Sequence, residues 1–194
     1  TLPGETIPGK DAGDYTTVAK YSWSVAKADG SDSTGNYEIE VTGKLTITAN
    51  DDGLTVEGKT KSQVYNGQAL VAEGSGEADD GSAVTIKYAT KDAEGNWSTW
   101  SETAPSITDV GTVTYKVQAS NPNYVTKESD EYTLTVTKAK ITVNDTESLE
   151  YNGADQTFTI TADKAAGVVN GETLTLTGAT ITSTAVTGAV ATAI

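Results

Sequence analysis

The chain has 194 residues with no Cys, His or Met, and all thirteen of its basic residues are Lys. Without thiol or imidazole groups it has no thiolate nucleophile, no imidazole base and no zinc, haem or iron–sulfur site of the usual kind. A formal net charge of -14 and the absence of Arg argue against binding to nucleic acid or to anionic lipid surfaces. No apolar run approaches the length that spans a bilayer, so we expect no membrane insertion in this segment.

Apolar and polar residues alternate with a period of two along much of the chain, whereas helical periodicity is hard to find. In chain order this alternation predicts strands at Tyr37–Val41, Leu45–Thr48, Leu54–Val56, Val84–Tyr88, Val113–Val117, Tyr132–Val136, Ile141–Val143, Phe158–Ile160 and Leu174–Leu176. Turn signals separate the strands, at Asp29-Gly30, Asp52-Gly53, Asp80-Gly81, Glu94-Gly95, Asn121-Pro122 and Asn170-Gly171. Short strands at this spacing predict an all-β sandwich.

One parity of the central strands carries large apolar side chains, and a half-buried sheet buries one parity. We therefore expect a core formed by Tyr65, Ile86, Tyr88, Val113, Tyr115, Val117, Leu134 and Val136. We also expect Gly13 and Gly111 to occupy equivalent turns, because the residues around them are similar.

Two short stretches of the chain are near copies of each other. A strand at Leu54–Val56 leads to the corner Tyr65-Asn66-Gly67, and a strand at Ile141–Val143 leads to Tyr151-Asn152-Gly153. The two corners lie 86 positions apart, from Tyr65 to Tyr151. A period of domain size predicts an array of small β domains, which commonly space or display something.

The repeat divides the chain into three parts. Residues 50–138 form a complete unit, residues 1–49 resemble the back half of a second unit, and residues 139–194 resemble its front half. The start Thr1-Leu2-Pro3-Gly4 contains neither an initiator Met nor a signal peptide, which predicts a piece of a longer protein. We expect 139–194 to be completed by a segment equivalent to 1–49, from the next copy in a head-to-tail polymer, from a neighbouring molecule, or from the same chain.

Several phrases resemble known repeats. The Tyr-Asn-Gly corner, the stretch Gly167–Leu174 and Gly35-Asn36-Tyr37 are similar to the MBG and YDG-type repeats of large bacterial surface adhesins. Ala104-Pro105-Ser106 and Asn121–Tyr124 resemble a sister immunoglobulin-like repeat of the same proteins. The resemblance implies tandem immunoglobulin-like β-sandwich repeats at the extracellular bacterial cell surface, with neighbouring repeats as partners. Repeats of this kind share no catalytic motif, so we expect neither an enzyme nor a cofactor.

The strongest candidate for a binding site is Trp97-Ser98-Thr99-Trp100 beside Tyr88. Exposed aromatic rings on a β-sandwich can cover the apolar face of a sugar, which makes a glycan the candidate ligand. Trp97 and Trp100 are three positions apart, however, and on a regular strand they would point to opposite faces. The alternative is that one Trp belongs to the core and the other covers an edge or a seam between domains.

A weaker candidate is a calcium site at Asp29, Asp32 and Asn36, where oxygen-bearing side chains are dense. The spacing does not match an EF-hand, and acids in solvated turns are the alternative. Lys–Asn amide cross-links are possible in principle, and solvated Lys side chains are the alternative. The leading hypothesis is a structural module, a stalk or filament of a surface protein. The alternative is a glycan-binding module that uses the Trp residues.

Overall fold

A computed structural model describes residues 7, 9–16 and 22–183 of the chain. The described residues are strands and irregular segments, with 3-10 turns at Thr34–Asn36 and Ala162–Lys164. The strands are β1 Gly13–Tyr15, β2 Leu45–Ile47, β3 Glu57–Gly58, β4 Lys61–Val64, β5 Leu70–Val71, β6 Gly74–Ser75, β7 Thr85–Thr90, β8 Ser106–Ile107, β9 Gly111–Asn121, β10 Tyr124–Glu128, β11 Tyr132–Thr137, β12 Thr142–Val143, β13 Gln156–Thr159, β14 Ala165–Ala166 and β15 Thr180–Ser183. The all-β prediction is confirmed.

The chain divides into two compact units that interleave along the sequence. The first comprises Thr1–Lys59, Glu73–Ala104 and Tyr115–Tyr132, and the second comprises Thr60–Ala72, Pro105–Thr114 and Thr133–Ile194. The domain boundaries after residues 49 and 138 were inferred from the sequence repeat, and they stay a prediction.

The largest sheet has five strands, in the order β10-β9-β11-β4, with β7 also paired to β9. β9 is its longest strand, because 11 residues from Gly111 to Asn121 alternate without a break. The pairing of β11 with β4 is parallel, whereas β7 and β10 run antiparallel to β9. The remaining strands form two-stranded ladders.

In the first unit β7 pairs with the carboxyl-terminal part of β9, with Ile86 opposite Ala119 and Tyr88 opposite Val117. Residues directly opposite in an antiparallel pair share a face, so these four side chains point to the same side. Part of the core of this unit is a cluster of Leu54, Ala78, Ala119 and Tyr124 with Val56, Val84 and Ile86 packed against it.

Two glycines let β6 and the residues after it approach this core closely. A Cβ at Gly74 would lie 2.8 Å from Val117 Cγ1, and a Cβ at Gly76 would lie 2.9 Å from the Cβ of Ala119. Both separations are shorter than non-bonded carbon atoms allow, so a larger residue would push the segment away from β9.

In the second unit β4 pairs with β11, β5 with β8, β12 with β14 and β13 with β15. Leu70 and Ala72 are buried, as are Leu134 and Val136 of β11. The ladder of β13 and β15 places Phe158 opposite Ile181. Burial in this unit therefore centres on Leu70, Ala72 and the alternate residues of β11.

The predicted core is confirmed for Tyr115, Val117, Leu134 and Val136, which are at most 2% exposed. The other four predicted core residues, Tyr65, Ile86, Tyr88 and Val113, are half-buried. Gly13 and Gly111 each begin a strand, β1 and β9. Their equivalence stays a prediction.

Three predicted strands are wrong. The segments Tyr37–Val41, Leu54–Val56 and Leu174–Leu176 lie within the described residues, and none of them forms a strand there, although Leu54 makes an isolated bridge to Ala78. Tyr37 is 58% exposed, whereas Ile39 and Val41 are half-buried, so the three alternating residues are not buried together. Alternation predicts a strand only where a partner edge accepts the backbone hydrogen bonds.

Candidate functional site

The Trp97 segment begins at a tight turn after β7. Asp92 N–H donates to Asn96 O at 2.9 Å, and Gly95 N–H donates to Asp92 O at 3.1 Å. Gly95 has a φ of +90°, a left-handed value that glycine adopts readily. The Asp92 carboxylate accepts the Asn96 N–H at 2.7 Å, and this bond holds the pKa of Asp92 below its usual value. The turn directs the chain back along β7.

The returning segment contains a β-bulge. Lys91 pairs with Trp97 and Tyr88 pairs with Ser101, so two residues of β7 face three on the returning segment. The extra residue interrupts the alternation between Trp97 and Ser101, so the rule for a regular strand does not fix the face of Trp100. The expectation that the two Trp residues point to opposite faces stays a prediction.

Tyr88 lies on the opposite face of β7 from Trp97, since it is three positions from Lys91, which pairs with Trp97. Its ring centroid is 6.3 Å from that of Tyr115, in a tilted arrangement. Burial, and then the neighbouring Tyr115, raise the pKa of the Tyr88 hydroxyl. Tyr88 therefore packs towards the core, and the structure does not bring it into one platform with the two Trp residues.

Two ammonium groups lie over the Trp97 ring. Lys91 Nζ is 5.4 Å from the ring centroid and Lys116 Nζ is 5.0 Å from it, both within the range of a cation–π interaction. Lys91 Nζ also lies 2.9 Å from a carboxylate oxygen of Glu131. Trp97 and Trp100 are both half-buried. A sugar stacking on Trp97 would have to compete with these lysines for the ring.

The calcium candidate residues are occupied by local turn hydrogen bonds. Asp29 accepts from Ser31 N–H at 3.0 Å and from Ser31 Oγ at 2.6 Å, and Asp32 accepts from Thr34 N–H at 2.9 Å and from Thr34 Oγ1 at 2.6 Å. These bonds lower the pKa of both carboxyl groups. The Asn36 side-chain amide donates to Ser33 Oγ at 3.1 Å.

Each of these side chains therefore stabilises its own turn. Within the described ranges, no group of three or more acidic residues is placed to hold a metal ion.

The two Tyr-Asn-Gly corners have the same local structure. Asn66 Oδ1 accepts the N–H of Gln68 at 2.9 Å, and Asn152 Oδ1 accepts the N–H of Ala154 at 3.0 Å. The following glycines, Gly67 and Gly153, have left-handed φ values of +75° and +78°. The sequence repeat is thus also a repeat of backbone geometry.

The tyrosines of the two corners differ in their surroundings. The Tyr65 hydroxyl donates a short hydrogen bond to Glu172, and this bond raises the pKa of Tyr65. Tyr151 is 68% exposed. The shared backbone therefore supports different side-chain environments.

The hydrogen bonds of the Tyr115 hydroxyl could not be predicted from the sequence. Tyr115 is fully buried, and its Oη lies 2.7 Å from Lys59 O and 2.9 Å from Glu73 O, and accepts the N–H of Lys59 at 3.1 Å. The alternation of β9 identifies Tyr115 as a core residue but carries no signal for these backbone partners. The hydroxyl joins the end of β3 to the start of β6, which is a structural role.

The hydroxyl of a second tyrosine, Tyr124, also makes a specific contact. Its hydroxyl lies 2.5 Å from Asp79 Oδ1, and this hydrogen bond raises the pKa of Tyr124 to about 12. Both residues belong to the first unit.

Comparison with models of known families, with curated proteins and with solved structures finds no match. Among the described residues, no helix is long and apolar enough to cross a membrane.

Proposed function

We propose that the chain is a structural repeat module of a large extracellular bacterial surface protein, in which tandem immunoglobulin-like β-sandwiches form a stalk or filament. The observation that carries the proposal is the pair of Tyr-Asn-Gly corners with one backbone geometry, 86 positions apart. A duplicated corner at domain spacing is typical of an array in which each unit repeats the last.

Two further features support this function. The described chain is all-β, as the resemblance to adhesin repeats implies. The net charge of -14 favours solubility and repulsion between neighbouring stalks. The partners in this proposal are adjacent repeats of the same protein, joined head to tail.

Antibodies raised against residues 50–138 provide the first test. They should label intact cells of the source organism, and protease added outside the cells should remove the label. Labelling only after lysis would contradict the proposed location. In the full-length protein, deletion of residues 1–194 should shorten the projection seen by electron microscopy and leave ligand binding by the remaining domains unchanged.

Glycan binding remains the second candidate, because Trp97 and Trp100 are both half-buried and each leaves part of its ring in contact with solvent. The two lysines over Trp97 weaken the case for glycan binding, since their ammonium groups lie over the ring on which a sugar would stack. A glycan array followed by titration calorimetry tests this alternative, with Trp97→Ala and Trp100→Ala compared against Tyr37→Ala as an exposed control. Heat that disappears in both Trp variants and persists in the control would favour the glycan site over the stalk.

A further inference from the structure

The parallel pairing of β4 with β11 has a consequence for tension along the chain. Leu134 lies opposite Lys61 and the register continues to Thr137 opposite Val64. The Tyr65 N–H donates to Thr137 O at 2.8 Å beyond the end of β4, and Thr133 N–H donates to Thr60 Oγ1 at 3.3 Å at its beginning. Hydrogen bonds therefore join the two segments from one end to the other.

Side chains reinforce both strands. Lys61 Nζ donates to Val71 O at 3.0 Å, and Gln63 Nε2 donates to Gln68 O at 2.9 Å, so β4 is tied to the chain that follows it. Leu134 and Val136 of β11 are buried. Moving either strand along its axis would break these contacts as well as the ladder.

The direction of the chain decides how tension acts on this pair. Tension pulls β4 towards its amino end and β11 towards its carboxyl end. In a parallel pair these two directions are opposite, so the strands are pulled past each other along their length. The ladder hydrogen bonds then share the load at the same time, whereas separating one end of the pair would break them one after another.

We propose that β4 and β11 form a shear clamp, defined as residues 60–65 paired with 133–137, that resists unfolding when the chain is pulled from its ends. The clamp rests on the proposed stalk function, because only a protein that carries tension gains from it. Forced unfolding is governed by the unfolding rate, so the clamp acts on mechanical resistance and not on equilibrium stability alone.

The chain has no cysteine, so pairs of introduced cysteines can define the points of pulling in single-molecule force spectroscopy. Thr60→Cys with Lys138→Cys pulls the clamp in shear. Val64→Cys with Lys138→Cys pulls apart the two carboxyl ends and opens the same ladder as a zipper. Thr60, Val64 and Lys138 are all exposed in the native chain.

At equal loading rate the unfolding force in shear should exceed the force in the zipper geometry by at least about twofold, because several ladder bonds then break together. Equal forces in the two geometries would overturn the clamp. They would leave the stalk function standing, since that function is tested separately by surface labelling.

A second comparison separates the ladder from the side chains. Tyr65→Pro removes the N–H that donates to Thr137 O, and Tyr65→Ala removes the same side chain but keeps that N–H. The shear force should fall further in Tyr65→Pro than in Tyr65→Ala, and the circular dichroism of both variants should match the native protein. Equal shear forces in the two variants would also contradict the clamp.

Discussion

At the scale of single residues, the described core is held by specific polar contacts as well as by apolar burial. The Tyr115 hydroxyl contacts backbone groups of Lys59 and Glu73, and the Tyr124 hydroxyl contacts the carboxylate of Asp79. Both tyrosines are less than 9% exposed. A buried polar group that loses its partner costs more than the bond contributes, so these contacts can be tested by single substitutions.

Tyr115→Phe should lower the free energy of unfolding by about 0.5–1.5 kcal/mol, because it removes the hydrogen bonds between the buried hydroxyl and partly buried backbone groups of Lys59 and Glu73. Urea denaturation followed by circular dichroism measures the change. Tyr37→Phe is the control, since Tyr37 is 58% exposed and should show no change. Similar effects of the two substitutions would show that the Tyr115 hydroxyl contributes nothing.

Tyr124 makes the free energy of unfolding depend on pH in the alkaline range. Its pKa is raised to about 12 in the folded protein by the bond to Asp79, and a free tyrosine titrates near 10. The protonated form is therefore favoured by folding, so this contribution is complete below about pH 10 and is lost as the pH rises through about 12.

The test compares the native protein with Tyr124→Phe in urea between pH 8 and pH 12. The native protein should be more stable than Tyr124→Phe at pH 8, and the difference between their free energies of unfolding should shrink as the pH rises. The other titratable groups are the same in both proteins, so they do not contribute to this difference. A difference that stays constant across this range would rule out the linkage.

At the scale of elements, the sequence predicted strands well where a strand has an apolar face and a partner. β7, β9 and β11 were found because apolar residues alternate along them, and the corners at Asn66 and Asn152 were found because Asn-Gly favours a turn. β4 was missed because Lys61-Ser62-Gln63-Val64 has no apolar face, and Val64 is 57% exposed. Its position is set by hydrogen bonds to β11, which sequence alternation does not report.

The candidate site shows the same limit. Trp97 and Trp100 were identified from the sequence, but their orientation depends on how their segment pairs with β7, and a bulge is a property of pairing between two segments. The lysines over Trp97 come from β9 and from the position after β7, so no local pattern contains them.

The two Tyr-Asn-Gly corners allow a matched comparison of one substitution in two places. Gly67→Ala and Gly153→Ala each place a Cβ on a left-handed residue, which costs roughly 1–2 kcal/mol. A Cβ at Gly67 would also lie 3.0 Å from Val169 Cγ1, whereas the nearest atom at Gly153 is 4.0 Å away. Gly67→Ala should therefore be the more destabilising of the two in urea denaturation. The reverse order would mean that the Val169 side chain adds no cost at Gly67.

At the scale of the whole molecule, the described parts of residues 1–49 and 139–194 pair in short ladders. Within the described residues, β1 pairs with β2, β12 with β14 and β13 with β15, in ladders of two to four residue pairs. Isolated two-stranded ladders are marginal in water. Edges of this kind need a partner, and the repeat predicts which segment supplies it.

A circular permutant tests whether residues 139–194 and 1–49 are two halves of one repeat. Joining Ile194 to Thr1 and opening the chain between Asn50 and Asp51 places 139–194 directly before 1–49, with the composition of the chain unchanged. We expect the permutant to protect more backbone amides from hydrogen exchange in both segments, because each half then has the strands that complete it. The chain in its original order is the control. If the permutant protects no more amides than this control, the two segments are not halves of one domain, and the ends must be completed by a different partner.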